Sequence, residues 1–247
     1  MGMGLRRASP SSCRSRRRRR RCVALGTLPA VALVAGACGD GGEVTSAEPA
    51  ATEAPSTTEG TEGPLPCAQD RHAVIVDVDG TVTAGTGEYD RWITEPGYEL
   101  RVKPGAPELL RAWRERGYEI VYLAGRLSDS AARDVPIEEA TSAWLAEHGI
   151  PTGEGTHLRF WDVDTTELPN YKTQELFDLT NEGVSIDYGY TDAEVDITAY
   201  RAGGLEPGDI FTRGPAMGAQ GTTGVAEDSW LHHLTETVDP LPPVCER

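Results

Sequence analysis

The stretch AVIVDVDGTVT, residues 73–83, places two aspartates one residue apart at the end of a short apolar run. The run AVIV contains three β-branched residues and predicts a buried strand. Gly80 permits the tight turn that is needed where a strand passes into a loop. Two carboxylates this close repel each other, and a divalent cation that prefers oxygen ligands, such as Mg²⁺, would neutralise them. A solvated acidic turn is the alternative, but the apolar residues before it disfavour that interpretation.

Short β-rich runs alternate with amphipathic helical stretches from Cys67 onward. The predicted strands are 73–78, 118–124, 157–161, 184–190 and 209–212. The predicted helices are 106–117, 135–149, 171–180, 192–204 and 225–237. Strict alternation of strand and helix implies a mainly parallel central sheet covered by helices on both faces. The sequence therefore predicts an α/β fold of three layers, in which ligands bind beyond the carboxyl ends of the strands, where the acidic motifs fall.

Residues 1–37 have the composition of an export signal. Nine arginines and no acidic residue precede Cys38, and a short apolar stretch ends on the small residues of VAGAC. This order is typical of a secretory signal peptide. VAGAC resembles a bacterial lipobox, which implies cleavage before Cys38, a lipid on its thiol, and anchoring of the exported protein at the outer face of the cell membrane. An ordinary signal that contains a cysteine, and export by the twin-arginine route, stay open.

Residues 38–66 are rich in Gly, Ser, Thr, Glu and Pro and contain almost no large apolar side chain. Such a segment cannot bury enough surface to offset its ordering entropy, which predicts a flexible tether. One domain is then expected at residues 67–247. Loss of the nine arginines of the signal would take the formal charge from −16 to −25. So acidic a protein is a poor partner for nucleic acid, and we expect any phosphate to be held locally.

Five cysteines lie toward the two ends of the chain. Cys13 and Cys22 belong to the predicted signal, and Cys38 is the predicted lipidation site. Cys67 and Cys245 lie at the two ends of the predicted domain, and an exported protein meets an oxidising environment. We therefore expect a disulfide between Cys67 and Cys245, with two unrelated free thiols as the alternative.

Three charged residues further along the chain also stand out, namely Lys172, Asp192 and Asp196. The chain has two lysines, Lys103 and Lys172, among 23 basic residues, so a lysine is expected to have a local role. The compact ammonium of lysine can sit between two anions in a way that a planar guanidinium cannot. Asp192 and Asp196 are four residues apart at the start of a predicted helix, a spacing that would place both on one helical face. Helix capping is the alternative for Asp192.

DVDGTVT resembles the first motif of the haloacid dehalogenase superfamily of phosphatases. The resemblance implies that Asp77 attacks phosphorus and forms an aspartyl-phosphate, while Asp79 acts as general acid and then as general base. It also implies that Mg²⁺ is bound by the Asp77 carboxylate and the Asp79 backbone carbonyl. Asp192 would be a further ligand, and Asp196 a second ligand or an orienting neighbour.

The same resemblance assigns the residues that bind phosphate. Lys172 has the order and spacing of the cation that balances charge on the phosphoryl group. In the family a Ser or Thr ends the second strand, where this chain has Ala124, and the loss of that hydroxyl weakens transition-state binding unless another group replaces it. Backbone N–H groups around Gly125 and Arg126, or the Ser128 hydroxyl, are candidates for that replacement. The expected substrate contacts are Gly80, Thr81, Ala124, Gly125 and Arg126.

Within the superfamily, DVDGTVT, RGYEIVYLAGR, YKTQELFDL and DITAYRAGG are most similar to the catalytic domain of lipins and to related domains of phosphatidylinositol-transfer proteins. The similarity runs over residues 72–214. It implies a magnesium-dependent phosphatidate phosphatase, or a phosphatidate-binding domain without catalysis as in the transfer proteins. Both aspartates of the first motif are present, which favours the active branch. The segment 83–103 is too short for a sizeable cap domain, so we expect an essentially capless fold.

The sequence thus predicts a monomeric phosphomonoester hydrolase acting on a phosphatidate-type lipid or another large phosphorylated substrate. The alternative is a membrane-tethered phosphate- or lipid-binding module that lost catalysis through Ala124. A purely structural lipoprotein would leave the ordered acidic and lysine residues unexplained. The near repeat FWDVDTTELP, residues 160–169, lacks the glycine and follows the second-motif position, so Asp162 and Asp164 are expected in a loop near the site.

Overall fold

The computed structural model describes residues 70–163, 167–226 and 229–246. These residues lie within one compact unit, Thr58–Arg247. The predicted signal peptide and tether, with Cys38 and Cys67, fall outside the described residues, so the lipid anchor stays a prediction. Cys245 is disulfide-bonded, and its pairing with Cys67 also stays a prediction. In the part of the chain that the structure describes, no helix has the length and apolar character needed to span a membrane.

A parallel sheet forms the centre of the domain. Its strands are β1 (Arg71–Asp77), β2 (Glu119–Leu127), β5 (Thr156–Trp161), β6 (Val184–Thr191), β7 (Ile210–Thr212) and β8 (Thr223–Gly224). A separate antiparallel hairpin consists of β3 (Ala131–Ala132) and β4 (Val135–Pro136). Within the described residues, the order in the sheet is β5-β2-β1-β6-β7-β8 and all pairs are parallel. β1 therefore lies inside the sheet, between β2 and β6.

Helices cover both faces of this sheet. They are α1 (Glu88–Thr94), α2 (Ala106–Glu115), α3 (Ile137–Glu147), α4 (Leu168–Asn181), α5 (Glu194–Ala202) and α6 (Trp230–His233). Successive residues of β1 alternate between two cores, because neighbouring side chains of a strand point to opposite faces. Val74 and Val76 pack with α2, α3 and α6, whereas Ala73 and Ile75 pack with α4 and α5. The predicted three-layer α/β fold with a mainly parallel sheet is confirmed.

The C-terminal helix is shorter than the sequence predicts. We expected a helix over residues 225–237, but α6 has four residues. It begins after Ser229 because the hydroxyl of that residue accepts a hydrogen bond from the N–H of Leu231 and caps the helix. The chain then continues as a π-helical turn, Leu234–Val238.

The segment between β1 and α2 forms a small lobe, residues 83–102, which we call the α1 lobe. A bridge between Thr83 and Val102 closes its base. Inside it, the buried Glu88 accepts hydrogen bonds from the Tyr98 hydroxyl at 2.6 Å and from the backbone N–H of Arg101 at 3.1 Å. A lobe built on one seven-residue helix is too small to enclose a substrate. The essentially capless fold is therefore confirmed for the described residues.

A buried carboxylate joins the amino-terminal parts of three neighbouring strands. Glu119 of β2 accepts hydrogen bonds from the Arg71 guanidinium of β1 at 2.7 and 2.9 Å, and its Oε2 lies 2.8 Å from Nε2 of His157 on β5. Burial acts to raise the pKa of Glu119, but the bonds to His157 and Arg71 outweigh it and lower the pKa from 4.5 to about 2. The ionised carboxylate therefore stabilises the folded sheet.

We expect Glu119→Gln to lower the free energy of unfolding by about 3 kcal/mol at neutral pH, as a pKa shift of this size implies. A carboxylate whose pKa is depressed on folding contributes stability above its unfolded pKa. That contribution is lost as the pH falls from 4.5 to about 2. Urea denaturation across this range should therefore show the wild type and the variant converging. Glu115→Gln, at an exposed position of α2, is the matched control, and a difference independent of pH would contradict this role for Glu119.

Candidate active site

The acidic motifs and Lys172 meet at the carboxyl edge of the sheet. Asp77 ends β1, Gly125 lies near the end of β2, and Asp192 directly follows β6. Because the strands are parallel, these ends lie side by side, and a cavity of about 290 Å³ lies among them. The charged residues that line it are Asp77, Asp79, Lys172, Asp192 and Asp196.

The Lys172 ammonium connects two of these carboxylates. Its Nζ lies 2.6 Å from Oδ1 of Asp77 and 2.6 Å from Oδ2 of Asp196. Lys172 is 7% exposed, and burial acts to lower the pKa of its ammonium. The two carboxylates outweigh that effect and raise the pKa above its usual value. The ammonium therefore stays charged and connects the end of β1 to α4 and α5.

Asp77 is held through both of its oxygens. Oδ1 accepts from the Lys172 ammonium, and Oδ2 accepts from the Thr81 hydroxyl at 3.1 Å. Thr81, expected among the substrate contacts, thus bonds the predicted nucleophile. Burial raises the pKa of Asp77, Lys172 counteracts that rise and Asp196 adds to it. The carboxylate is oriented at the wall of the cavity by two fixed donors.

Asp192 lies directly against the loop that follows β1, which contains Asp79 and Gly80 and which we call the first acidic loop. Gly80 has a φ of +93°, and a Cβ atom at this position would stand 2.0 Å from Oδ2 of Asp192. Glycine is therefore required at position 80 both for the backbone conformation and for the close approach of the carboxylate. Burial raises the pKa of Asp192 to about 6, and Lys103 counteracts part of this rise.

Asp196 supports Lys172 from the first turn of α5. Its Oδ2 accepts hydrogen bonds from the Lys172 ammonium and, at 2.7 Å, from the Thr191 hydroxyl. Of the two roles expected for Asp196, these bonds favour the orienting neighbour. The prediction that Asp192 and Asp196 stack on one helical face is wrong. α5 begins at Glu194, because the residue before it is extended (φ −121°, ψ 131°), so Asp192 belongs to the loop.

Asp79 is bound by a buried arginine. Arg126 Nε donates to Asp79 Oδ2 at 2.8 Å and Nη2 donates to Oδ1 at 2.7 Å, while Nη1 donates to the Thr141 hydroxyl of α3 at 2.7 Å. Tyr89 and Trp92 of the α1 lobe flank the guanidinium, with ring centroids 4.8 and 5.5 Å from its carbon. The Arg126 side chain, expected to contact phosphate, is fully buried among these partners and does not line the cavity.

Only some of the residues expected from the second motif lie at the cavity. Gly125 lines the cavity, whereas Ala124 is fully buried in β2 and does not. Ser128 does not line it either. Thr86 of the α1 lobe does line it. Sequence reasoning missed Thr86 because it belongs to none of the motifs, and its position soon after the first motif was the available signal.

The C-terminal helix supports the first acidic loop. Trp230 Nε1 donates to the Thr81 carbonyl at 3.0 Å, and the Trp230 backbone N–H donates to the Pro104 carbonyl at 2.9 Å. The buried indole packs edge-on against Tyr190 of β6, with ring centroids 5.4 Å apart. Trp230 therefore fixes the backbone at Thr81, whose hydroxyl donates to Asp77. No local pattern in the sequence signals a contact between residues 149 positions apart.

The described part of the second acidic repeat does not line the cavity. Asp162 lies in the loop directly after β5, as predicted, but not among the lining residues. Asp164 falls outside the described residues. The first copy, at Asp77 and Asp79, is therefore the one at the candidate site.

The donor atoms at the cavity suit a hard cation. Among the described residues, no three His, Cys, Asp or Glu side chains are arranged as a ready-made metal site. Mg²⁺ often uses one or two carboxylates and keeps several waters. Asp77 and Asp192 supply two carboxylates, and burial raises the pKa of both, so a nearby cation would favour their ionised forms. This oxygen-only set fits Mg²⁺ and not a metal that requires Cys or His.

A family model described as "PITM 1-3, LNS2 domain" matches residues 74–214. Among curated proteins, membrane-associated phosphatidylinositol transfer protein 1 of Homo sapiens is 30% identical over 169 residues, which are 68% of this chain and 12% of that protein. Protein retinal degeneration B of Drosophila melanogaster is 29% identical over 163 residues, 65% of this chain and 12% of that protein. The matched part of the chain thus spans 12% of the length of these relatives.

Two solved phosphatase structures show low overall similarity to this chain. A phosphoserine phosphatase in its apo form is 13% identical, with a TM-score of 0.44, over 69% of this chain and 100% of that chain. The deoxy-D-mannose-octulosonate 8-phosphate phosphatase of Haemophilus influenzae is 23% identical, with a TM-score of 0.37, over 60% of this chain and 70% of that chain. The family match, in contrast, covers more than half of the chain and spans every charged residue of the cavity. The chain belongs to the LNS2 domain family.

Proposed function

We propose that this chain is a magnesium-dependent phosphomonoester hydrolase that acts through an aspartyl-phosphate on Asp77. The observation that supports this most strongly is the Lys172 ammonium, 2.6 Å from both Asp77 and Asp196, at a cavity that Asp79 and Asp192 also line. Buried charges are costly unless they are paired, so a concentration of them at one open cavity favours a reaction centre.

The proposed reaction has two halves. In the first, an Asp77 carboxylate oxygen attacks phosphorus, and protonated Asp79 gives its proton to the bridging oxygen as the bond from phosphorus to that oxygen breaks. In the second, ionised Asp79 takes a proton from water as the water oxygen attacks phosphorus. Inorganic phosphate leaves and the Asp77 carboxylate is restored. Lys172 stays charged throughout and balances negative charge on the phosphoryl group.

Asp77 and Asp192 are the side chains that would hold Mg²⁺, with the Asp79 backbone carbonyl as the further ligand that the superfamily resemblance implies. When bound, Mg²⁺ would draw negative charge from the phosphoryl oxygens. Asp196 would orient Lys172, because its Oδ2 accepts from both the Lys172 ammonium and the Thr191 hydroxyl.

The proposed substrate is a phosphate carried by a phosphatidate-type lipid. The α1 lobe is too small to exclude a bulky carrier, and Val195, 56% exposed, lines the cavity and offers an apolar contact there. The relatives are named as phosphatidylinositol transfer proteins, which is consistent with a lipid phosphate. The formal charge, −16 for the whole chain and −25 without residues 1–37, opposes approach to a strongly anionic surface, so the lipid would be dilute in a mainly neutral membrane.

A second candidate is a phosphate- or lipid-binding module without turnover. The observation that favours it is Ala124 of β2, which stands where the superfamily has a Ser or Thr and carries no hydroxyl for a phosphate. In the hydrolase that we propose, the hydroxyl of Thr86, which lines the cavity, would take over this contact. For either function we propose that the protein is exported and that a lipid on Cys38 holds a monomeric domain at the outer face of the cell membrane. The composition of residues 1–66 supports this proposal.

Asp77→Asn should lower phosphate release from phenyl phosphate by more than about 1,000-fold, because an amide cannot form the aspartyl-phosphate. The fold should persist, since Lys172 keeps its bond to Asp196. Phosphate release and thermal unfolding measure the two effects, and Asp178→Asn on an exposed part of α4 is the control. If Asp77→Asn retained the wild-type rate, the proposed nucleophile would be wrong. A wild type that binds phosphate in magnesium without hydrolysing any monoester would select the binding module.

Mg²⁺ should raise the unfolding temperature of the wild-type protein and not that of Asp192→Asn. A ligand at 100 times its Kd stabilises a fold by about 2.7 kcal/mol, and removing one of two carboxylate ligands weakens binding. Calorimetry in Mg²⁺ and in EDTA measures the shift without relying on catalysis. Asp178→Asn should keep the full shift. An undiminished shift in Asp192→Asn would exclude Asp192 as a ligand.

Val195→Asp should slow hydrolysis of phosphatidate in phosphatidylcholine vesicles about tenfold, a larger loss than for soluble phenyl phosphate. The substitution replaces an exposed apolar contact with a charge that is costly to bring to a membrane surface. Val195→Leu, which keeps the apolar contact, is the matched control. Equal losses on the two substrates would argue against a lipid carrier.

A further inference from the structure

The pair formed by Arg126 and Asp79 is buried unevenly. The Arg126 side chain is 0% exposed and the Asp79 side chain is 20% exposed. Both carboxylate oxygens accept from the guanidinium, a bidentate geometry that is among the strongest available to side chains. The enclosed end of the pair is thus the arginine, and the end that reaches the cavity is the acid.

The surroundings of Arg126 fix it from three sides. Nη1 donates to Thr141 of α3, so all three guanidinium nitrogens have acceptors. Tyr89 and Trp92 of the α1 lobe flank the guanidinium. On the chain, Arg126 directly follows Gly125, which lines the cavity. A guanidinium held by α3, β2 and the α1 lobe gives the Asp79 carboxylate little freedom to turn.

We propose that Arg126 is a positioning residue that holds the Asp79 carboxylate at the point where it exchanges protons with the leaving oxygen and with water. The inference rests on the proposed phosphatase function and extends it to proton transfer. Both guanidinium bonds belong to the ionised carboxylate, which takes a proton from water in the second half-reaction. When one oxygen of Asp79 carries the proton for the leaving group, that oxygen stops accepting from Arg126. The remaining bond keeps the carboxyl group in place.

The test compares two aryl phosphates that differ in their need for a proton. Phenolate is a poor leaving group and requires one, whereas 2,4-dinitrophenolate leaves without it. Arg126→Lys keeps a positive charge but cannot make the two parallel bonds. We expect kcat/KM for phenyl phosphate to fall by about 100-fold, the scale of general acid catalysis. For 2,4-dinitrophenyl phosphate we expect kcat/KM to fall by less than about threefold, because departure of 2,4-dinitrophenolate does not need the proton that Asp79 donates.

Three further variants separate positioning from a merely structural role. Arg111→Lys, at an exposed position of α2, should leave both rates unchanged. Thr141→Val keeps the Asp79 bonds but frees one side of Arg126, and should show a smaller loss that again falls on phenyl phosphate. In an Asp79→Asn background, Arg126→Lys should cause no further loss, because the residue that it positions can no longer transfer a proton.

Equal losses on the two substrates in Arg126→Lys, or a further full loss in the Asp79→Asn background, would overturn the proposal. Thermal unfolding shows whether Arg126→Lys folds. If this variant does not fold, Thr141→Val is compared instead: a larger loss of kcat/KM for phenyl phosphate than for 2,4-dinitrophenyl phosphate supports the proposal, and equal losses overturn it. A wild-type protein that hydrolyses neither aryl phosphate would refute the proposed phosphatase function itself. That result differs from an active wild type in which Arg126→Lys lowers kcat/KM equally for both aryl phosphates, which would refute only the role of Arg126.

Discussion

The bonds from one lysine ammonium to two carboxylates are the interaction on which the candidate site depends. Lys172 comes from α4, Asp77 from β1 and Asp196 from α5, so these bonds join a strand and two helices. Removing one partner of a buried ion pair costs about 3–5 kcal/mol, because the remaining charge is left buried without compensation. The position of Asp77 is therefore defined only after the sheet and the helices have packed.

The parallel sheet explains why the acidic residues meet at all. β1 is buried on both faces, and its alternating side chains enter two separate cores, so the direction and register of the strand are fixed. β6 runs beside β1 in the same direction, which brings Asp192 next to the loop that follows Asp77. Gly80 then sets the distance, because any larger residue would occupy the place of the Asp192 carboxylate.

The sequence was informative where patterns are local. The apolar run before Asp77 and the alternation of strands and helices could be predicted, because each follows from composition and spacing along the chain. The set of acidic residues and Lys172 was expected chiefly from the superfamily resemblance of their motifs. The direction of the Arg126 side chain and the bond from Trp230 to the Thr81 carbonyl could not. Their partners are 47 and 149 positions away, and packing of α1, α3 and α6 selects them. The late start of α5 depends on one extended residue that spacing alone does not reveal.

The charges at the cavity explain why a cation and a phosphate would enter together. Arg126 matches the charge of Asp79, and Asp77 and Asp196 share the single ammonium of Lys172. Asp192 is influenced by Lys103, but burial still raises its pKa. Among the described residues that line the cavity, negative charge is thus in excess, and a phosphate monoester would increase it. Bound Mg²⁺ would neutralise that excess beside Asp77 and Asp192, so an anionic substrate would be accepted more readily when the cation is present.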